Sequence, residues 1–453
     1  MEAHHRDSDR QWTLPSVKTL DHVTETVLSP LMDRKAGKSY WIAFGISLVV
    51  AVIGFAAIGF SLAYGPGLWG NNTAVVWGFP IANYVWWIGI GNAGTLISSL
   101  LLLTRQHWRA SINRFAEAMT LFAVSMAGLF PILHLGRQNY FYWMAPYPNT
   151  MGLWPQWRSA LVWDFWAILC YLLFSVIFFY VGLIPDLAAV RDRPGRRGWR
   201  RFYGFFAMGW QGTPTQWRAQ ERLHRALAVL AVPLVCSVHS IVGLDFAASM
   251  MPGWIESLFP PYFVVGALFS GFAMVVLIAL TLRWAMRLEG IILPAHFNAM
   301  AKILLASAIV MGASYSMEWF SAAWSGEAAE LRVVDFEFNG PYWPLYVTML
   351  LCNVVVPQIF WWPGARTNVF ALVGVSLAVL VGMWIERIVI IIETLSTGYE
   401  PSFFQLYSAT FVDFAILIGT LSAFVWLFLV FARLLPVCSI YETRELLARE
   451  RKA

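Results

Sequence analysis

The chain has 453 residues, of which 59% are hydrophobic, 16% aromatic and only 13% charged, with a formal net charge of +5. A water-soluble domain cannot bury that share of apolar side chains, so the composition excludes a soluble globular protein and indicates an integral membrane protein. No Gly-rich phosphate loop follows a strand, and the sequence contains no HExxH motif and no serine nucleophile elbow, which leaves no motif for nucleotide binding or hydrolysis.

Apolar runs of about 20 residues, the length that crosses a bilayer as a helix, recur along nearly the whole chain. They predict an all-α integral membrane protein with about ten transmembrane helices. Helices 1 to 10 are predicted at about 40–64, 78–103, 115–135, 159–184, 224–246, 260–288, 297–323, 342–361, 368–394 and 407–434. The transmembrane domain is thus 40–434, between an N-terminal tail at 1–39 and a C-terminal tail at 435–453. The first apolar segment is longer than a signal-peptide core, so we expect it to remain as a helix.

Basic residues predict the orientation, because Lys and Arg stay preferentially on the cytoplasmic side of a membrane. With both termini cytoplasmic, 27 of the 31 Lys and Arg fall in cytoplasmic segments. The exceptions are Arg137, Arg158, Arg332 and Arg387. We therefore expect a bacterial inner-membrane protein with both termini in the cytoplasm. The densest basic cluster, at 191–201, is expected to meet anionic lipid headgroups and not nucleic acid.

The four cysteines are isolated along the chain, at Cys170, Cys236, Cys352 and Cys438. None forms a CxxC pair or another metal-ligand spacing. We therefore expect no metal bound by this chain, and any iron–sulfur cluster that serves it would belong to a partner.

Ionisable residues inside the predicted spans are few, and each costs about 3 kcal/mol or more at bilayer depth, so they tend to mark function. His134 ends helix 3, Asp164 lies near the start of helix 4, and Asp245 ends helix 5, so we expect one polar pocket in the outer half of the membrane. His239 precedes Asp245 on helix 5 and points about 120° away from it, because successive residues rotate by about 100°. We expect His239 behind the pocket or in helix packing, and a purely structural role stays open for a lone buried histidine.

A histidine and two carboxyl groups at one mouth suit the oxidation of a quinol, which releases two electrons and two protons. Histidine titrates near neutral pH, and a carboxyl group in apolar surroundings can both accept and release a proton. The connection at 136–158, which contains Arg137 and Tyr142, is rich in aromatic residues and prolines. It is a candidate lid over a ring-shaped ligand or a docking surface, although Trp and Tyr are common at any membrane interface.

The second half of the chain carries fewer candidates. Glu318 lies near the outer end of helix 7, Glu386, Arg387 and Glu393 lie in helix 9, and Asp413 lies in helix 10. Carboxyl groups at several depths are candidates for a proton path. A buried ion pair between Glu386 and Arg387 that holds helices together explains those two residues equally well.

Four ordered motifs carry a resemblance to a known family. They are NYVWWIGIGNAGTLIS at 83–98, RFAEAMT at 114–120, LHLGR at 133–137 and LVWD at 161–164. The sequence resembles the NrfD/polysulfide-reductase (PsrC-like) membrane subunits, and most closely the ActC-type subunit of alternative complex III.

The resemblance implies two four-helix bundles, helices 2–5 and 6–9, with helices 1 and 10 peripheral. It implies a site for menaquinol or ubiquinol on the periplasmic side, with His134, Asp164 and Asp245 at the family's quinol positions. Further candidates for quinol binding are Asn92, Arg137, Tyr142 and His239. The family more often has His at the position of Asn92, and Asn cannot take up a proton near neutral pH. The partners implied are a periplasmic iron–sulfur subunit and cytochrome c-containing and other membrane subunits, which would carry the iron–sulfur clusters and haems.

The leading hypothesis is a quinol-oxidising subunit of a respiratory or photosynthetic electron-transfer complex, with coupling to proton translocation as a further hypothesis. Two alternatives stay open. A haem-b-type cytochrome needs facing histidine pairs, and only His134 and His239 lie inside the predicted spans. A secondary transporter binds its substrate near the membrane midplane, whereas the polar residues here gather at one outer mouth.

Overall fold

A computed structural model describes residues 19–32, 36–106, 108–193 and 197–450. Within these ranges the regular elements are all helical, and ten helices are long and apolar enough to cross a membrane, which confirms the predicted fold class. They are α1 Lys38–Tyr64, α2 Phe79–Leu103, α3 Arg109–Leu133, α4 Val162–Arg191, α5 Pro214–Ala247, α6 Phe259–Met286, α7 Pro294–Ser325, α8 Trp343–Trp361, α9 Val369–Thr397 and α10 Phe411–Leu434. Much of the predicted N-terminal tail, with Arg34 and Lys35, lies outside the described residues.

Two four-helix bundles form the body of the protein, as the family resemblance implied. Helices α2, α3, α4 and α5 pack in a closed ring, and α6, α7, α8 and α9 pack in a second ring. The bundles meet where α6 packs on α2 and α5. Helix α1 packs mainly on α10 at the periphery. Only 22% of its most apolar 18-residue stretch is buried inside the protein, compared with 83% for the corresponding stretch of α2.

Small residues allow α2 to approach its neighbours closely. A Cβ atom added at Gly94 would lie 2.0 Å from the carbonyl oxygen of Ala116 in α3. A Cβ atom added at Gly271 of α6 would lie 1.8 Å from the Cβ of Ala93. Since lipid gives no hydrophobic drive for helices to associate, such close backbone packing supplies much of the attraction between them. The centre of the molecule therefore depends on residues without bulky side chains.

Helix α5 begins at Pro214, earlier than the predicted start at 224. Its N-terminus has a capping box, in which the Thr213 hydroxyl accepts from the backbone N–H of Gln216 and the Gln216 side chain accepts from the backbone N–H of Thr213. Pro214 at the first helical position favours the same start. Hydropathy missed these turns because they are polar, and α5 consequently extends beyond the apolar layer.

The two ends of the helix bundle differ in character. The basic end carries Arg105, Arg109, the surface helix Arg197–Phe206 and the C-terminal helix Ile440–Glu450. The aromatic end, opposite, carries the connections at 65–78, 134–161, 248–258, 326–342 and 398–410. All three residues of the predicted outer pocket lie at the aromatic end, as the helix directions require.

A buried ionic network fastens the C-terminal helix to the basic end. Asp186 of α4 accepts from Arg114 at 2.8 Å and, through its other oxygen, from the backbone N–H groups of Ile440 at 3.1 Å and Tyr441 at 3.3 Å. Arg114 also pairs with Glu117 at 3.4 Å. The same carboxylate thus compensates a buried charge and caps a helix N-terminus, where negative charge is favourable.

Candidate functional site

Three consecutive helices bring polar side chains to the aromatic end of the first bundle. Helix α3 breaks near Gly128 and resumes as a short turn, Phe130–Leu133, which ends at His134. Asp164 lies in the first turns of α4, and Asp245 lies two residues before the end of α5. Because α3 and α5 run towards this end and α4 runs away from it, the three residues reach similar depth.

These three side chains line one cavity, together with residues from α2 and from the segment before it. The cavity is small, about 10 Å³, roughly the space that one water needs. Its lining is Trp77, Ile81, Tyr84, Val85, His134, Asp164, Asp245 and Phe246. The polar side chains that the sequence grouped by depth therefore share a common, largely enclosed space.

Several polar atoms around the cavity are buried and lack a hydrogen-bond partner. Within the described part of the chain this holds for both ring nitrogens of His134 and for Oδ1 of Asp164 and of Asp245. Asp164 lies against the Asp245 carboxyl group and the Tyr84 hydroxyl. Buried polar atoms are normally paired, and an unpaired one costs about 1–3 kcal/mol. The cavity therefore offers several polar atoms whose hydrogen bonds a ligand or a water can complete.

Aromatic rings cover the cavity on the side of the first bundle's outer connections. Trp77 stacks on Trp254 with ring centroids 5.8 Å apart and meets the edge of Phe246 at 6.4 Å. Trp254 in turn contacts Phe246 edge to face at 5.0 Å. We call these three residues the aromatic cap. Two of its rings, those of Trp77 and Phe246, line the cavity and add flat, apolar surface to it.

The connection at 136–158 folds over the start of α4 but does not line the cavity. The indole N–H of Trp163 donates to the carbonyl oxygen of Trp157 at 2.6 Å. The indole N–H of Trp166 donates to the carbonyl oxygen of Met144 at 3.1 Å. Arg137 and Tyr142, two of the predicted quinol-binding residues, lie exposed on this connection, and neither is among the lining residues. The aromatic connection is therefore an outer surface beside the cavity.

Asn92 and His239 form a pair in the interior, away from the lining. The two buried side chains are hydrogen-bonded through the amide nitrogen of Asn92 and Nδ1 of His239. Neither side chain is among those lining the cavity. The pair joins α2 to α5 behind the site, in agreement with the helical rotation that turns His239 away from Asp245.

Most of the chain, including the cavity, falls within a known protein family. A model of the family described as "Polysulphide reductase, NrfD" matches residues 67–397. The chain belongs to the NrfD family. The match covers α2 to α9, so both bundles of this family member fall inside it, and it confirms the resemblance drawn from the sequence motifs.

Two curated relatives have names that describe components of redox enzymes. A putative membrane subunit of a dimethyl sulfoxide reductase from Halobacterium salinarum is 26% identical over 238 residues, 52% of this chain and 50% of that protein. A subunit of the selenate reductase from Mesobacillus selenatarsenatis is 23% identical over 238 residues, 51% of this chain and 54% of that protein. This NrfD family member thus matches about half the length of each relative.

Three of the predicted proton-path positions have structural contacts: Glu386 and Arg387 in α9 of the second bundle, and Asp413 in the peripheral helix α10. Glu386 pairs with Arg387 at 2.9 Å and also accepts bonds from Tyr315 and from Asn353 at 3.3 Å. Asp413 caps α10, accepting from the backbone N–H of Thr410 at 2.8 Å, and ties down the backbone of residue 70. Both arrangements are those of side chains that hold helices in place.

Glu393 and Glu318 lie nearer the aromatic end of the second bundle. Both carboxyl oxygens of the buried Glu393 lack a hydrogen-bond partner among the described residues. Glu318 lines a small second cavity with Glu256 and Tyr262. Glu337, on the connecting helix Ala328–Asn339, is buried close to Glu393. The second bundle therefore has a cluster of carboxyl groups at its aromatic end. No basic side chain is among the residues that line the second cavity.

Glu337 gives a prediction about pH and stability. Burial, reinforced by the charge of Glu393, raises the pKa of the Glu337 carboxyl from 4.5 to about 8. Between these pH values the folded protein keeps a proton that the unfolded chain loses, so this group makes the folded state less stable as the pH rises. We expect the melting temperature of the wild type to fall between pH 5 and pH 9. In Glu337→Gln this fall should be about 3–6 °C smaller.

Thermal unfolding of the purified complex at both pH values measures this effect. Glu327→Gln, which changes an exposed carboxyl group just before the same helix, is the matched control and should leave the pH dependence unaltered. Equal pH dependence in wild type and Glu337→Gln would contradict the prediction.

The sequence of this family member did not identify Tyr84 and Trp77 among the residues that line the cavity. Tyr84 lies within the motif 83–98 and places its hydroxyl against Asp164. Trp77 precedes α2 and belongs to the aromatic cap. The available signal for Tyr84 was its position in the first turns of a helix, at the depth of Asp164. Trp77 had no distinguishing signal, since Trp is common near membrane interfaces.

Proposed function

We propose that this chain binds a quinol at the cavity lined by His134, Asp164 and Asp245 and oxidises it for an electron-transfer complex. The observation that supports this most directly is the set of buried, unpaired ring nitrogens and carboxyl oxygens around one cavity. A quinol has two hydroxyl groups on a flat ring, which can donate to these acceptors while the ring contacts the aromatic cap.

The same side chains are suited to the proton chemistry. Oxidation breaks two O–H bonds of the quinol, sends two electrons to an acceptor and leaves two protons at the site. Asp164 and Asp245 lie side by side, and adjacent carboxyl groups readily share a proton because two neighbouring negative charges repel. Burial lowers the pKa of the His134 imidazole to about 4, so near neutral pH this side chain is an uncharged hydrogen-bond acceptor that holds the second proton only in passing. The three residues therefore bind the hydroxyl groups and receive both protons as they leave the quinol.

Binding requires the aromatic cap to move. A cavity of about 10 Å³ is far smaller than a quinol ring, so the ring must displace Trp77, Phe246 or the adjacent connection. Trp77 is only partly buried and is placed to swing away. Closure of the cap over the ring would then keep water from the site during electron transfer.

Membership of the family and the names of the relatives support a place in a multi-subunit redox enzyme. We propose an iron–sulfur subunit on the aromatic end as the electron acceptor, with cytochrome c-containing and other membrane subunits in the same complex, as in alternative complex III. The charge asymmetry supports a bacterial inner membrane with the basic end and both termini in the cytoplasm. Menaquinol and ubiquinol both fit the chemistry.

Proton translocation is no part of this proposal. Glu386 is held by Arg387, and Asp413 acts as a helix cap, so their observed contacts are structural. Glu393, which is buried, and Glu318, which lines the second small cavity, stay candidates for a proton path.

Binding of a fluorescent quinol analogue to the purified complex tests the proposed function. We expect saturable binding that both the natural quinol and a quinone-site inhibitor abolish. Absence of binding would overturn the proposal. A haem absorption band from this chain would favour the cytochrome alternative, and solute uptake by vesicles containing the chain would favour the transporter.

A further inference from the structure

The surface helix Arg197–Phe206 at the basic end has no role in the proposed quinol chemistry. It lies in the connection between α4 and α5 and packs against α4. Within its 10 residues it carries three arginines of the basic cluster at 191–201 and five aromatic side chains. Its surface is therefore almost entirely either charged or aromatic.

The charges and the rings lie on opposite sides of this helix. Because successive residues rotate by about 100°, the three arginines fall within an arc of about 100°, and four of the five rings fall within a similar arc roughly opposite. The arginines are Arg197, Arg200 and Arg201, and the four rings are those of Trp199, Phe202, Tyr203 and Phe206. A helix with one basic and one aromatic side is typical of segments that lie in the plane of a membrane interface.

The protein itself buries only one of the four rings on the aromatic side. Tyr203 is buried, and its hydroxyl donates to the carbonyl oxygen of Leu434 at 2.8 Å. Trp199 stacks on Tyr203 with ring centroids 5.7 Å apart but stays exposed, and Phe202 is 48% exposed. The exposed apolar surface continues past the end of the helix to Met208. The aromatic side therefore offers apolar surface to a further neighbour.

The height of the surface helix identifies that neighbour as lipid. Leu434, which accepts from Tyr203, is the last residue of the span α10, so it marks the level at which α10 leaves the apolar layer. The hydroxyl of Tyr180 donates to the carbonyl oxygen of Phe206 at 2.7 Å, and Tyr180 lies inside the span α4, which continues to Arg191. The helix thus lies beside the ends of two spans, where acyl chains meet headgroups.

The three arginines supply positive charge that the protein does not neutralise. All three are exposed, and none of the ion pairs in the described part of the chain includes them. Guanidinium groups bind phosphate oxygens through charge-assisted hydrogen bonds. Each basic side chain close to an anionic membrane surface contributes about 1 kcal/mol to the attraction. The basic side therefore favours lipids with a net negative charge.

We infer that the surface helix lies in the membrane plane at the basic end and holds anionic phospholipids around the ends of α4 and α10. The rings of Trp199, Phe202 and Phe206 contact acyl chains, and the three arginines bind the phosphate groups of the adjacent lipids. A zwitterionic phospholipid also has a phosphate group, but the arginines repel its cationic part, which gives the preference for anionic lipids. This inference does not depend on quinol binding.

Photo-crosslinking from the aromatic side tests this inference. Benzoylphenylalanine replaces Phe202 in the complex, which is placed in nanodiscs of equimolar phosphatidylglycerol and phosphatidylcholine, and mass spectrometry identifies the adducts. We expect lipid adducts in which phosphatidylglycerol is favoured about tenfold. The triple variant Arg197→Gln, Arg200→Gln, Arg201→Gln should capture the two lipids about equally, because it removes the charges that select between them.

A probe at Phe55 is the matched control. Phe55 lies on the exposed side of α1 and is 41% exposed, close to the value for Phe202. It should capture both lipids equally, with or without the three arginines.

Three results would overturn the inference. Adducts between the Phe202 probe and another subunit would show that protein covers the aromatic side. Absence of lipid adducts from this probe would show that the helix lies outside the membrane. Equal capture of the two lipids by the chain with all three arginines, or an unaltered preference in the triple variant, would show that the arginines do not select anionic headgroups.

Discussion

Asp164→Asn is expected to lower the quinol turnover of the complex by about 100-fold or more. Asparagine keeps the size and hydrogen-bonding ability of the side chain but cannot accept a proton near neutral pH. Loss of a positioned general base typically costs a factor of about 10² to 10⁴. Because Asp164 is buried against Asp245 and Tyr84, no water can easily replace it in this role.

Steady-state turnover with quinol and an artificial electron acceptor measures this loss. Binding of the fluorescent quinol analogue should weaken less than turnover falls, because the amide can still pair with a ring hydroxyl. Asp245→Asn should have a similar effect, and the double variant should be little worse than either single one, since the two carboxyl groups act as a unit.

Asp335→Asn is the matched control for this experiment. It makes the same chemical change at an exposed position of the aromatic end and should leave turnover at the wild-type level. Full turnover in a folded complex carrying Asp164→Asn would rule out the proposed role of this residue.

Much of the fold was predictable because the bilayer imposes a length and a composition on each helix. Every predicted span corresponds to one helix in the structure, and the errors lie at the ends, as at Pro214, where capping residues and not hydropathy set the boundary. The ring arrangement of the two bundles came from the family resemblance. Hydropathy alone does not specify which helices are neighbours.

Depth along consecutive antiparallel helices was enough to group His134, Asp164 and Asp245, and the structure places all three on one cavity. Their function there stays a prediction. The partner of His239 could not be predicted, because Asn92 comes from a helix far away in sequence and its contact depends on helix rotation. Arg137 and Tyr142 lie on an irregular connection whose path no periodic pattern specifies.

Gly94→Ala is expected to destabilise the folded complex by about 3 kcal/mol, near the upper end of the usual cost of overpacking. The new methyl group would lie 2.0 Å from the carbonyl oxygen of Ala116 and 2.6 Å from Oγ1 of Thr120. The first obstacle is backbone and cannot rotate away, so α2 and α3 must separate. That separation would also disturb the hydrogen bond from the backbone N–H of Thr95 to Thr120.

Gly59→Ala is the control, because it replaces glycine by alanine in a transmembrane helix without creating a close contact. Gly59 lies on the exposed side of α1, and a Cβ atom there meets nothing within 4 Å. Its melting temperature should equal that of wild type or rise slightly, because Ala favours helix over Gly. Thermal unfolding followed by size-exclusion chromatography compares the two variants. Equal stability of Gly94→Ala and Gly59→Ala would mean that α2 and α3 are not held at backbone contact, and the central packing of the first bundle would need another explanation.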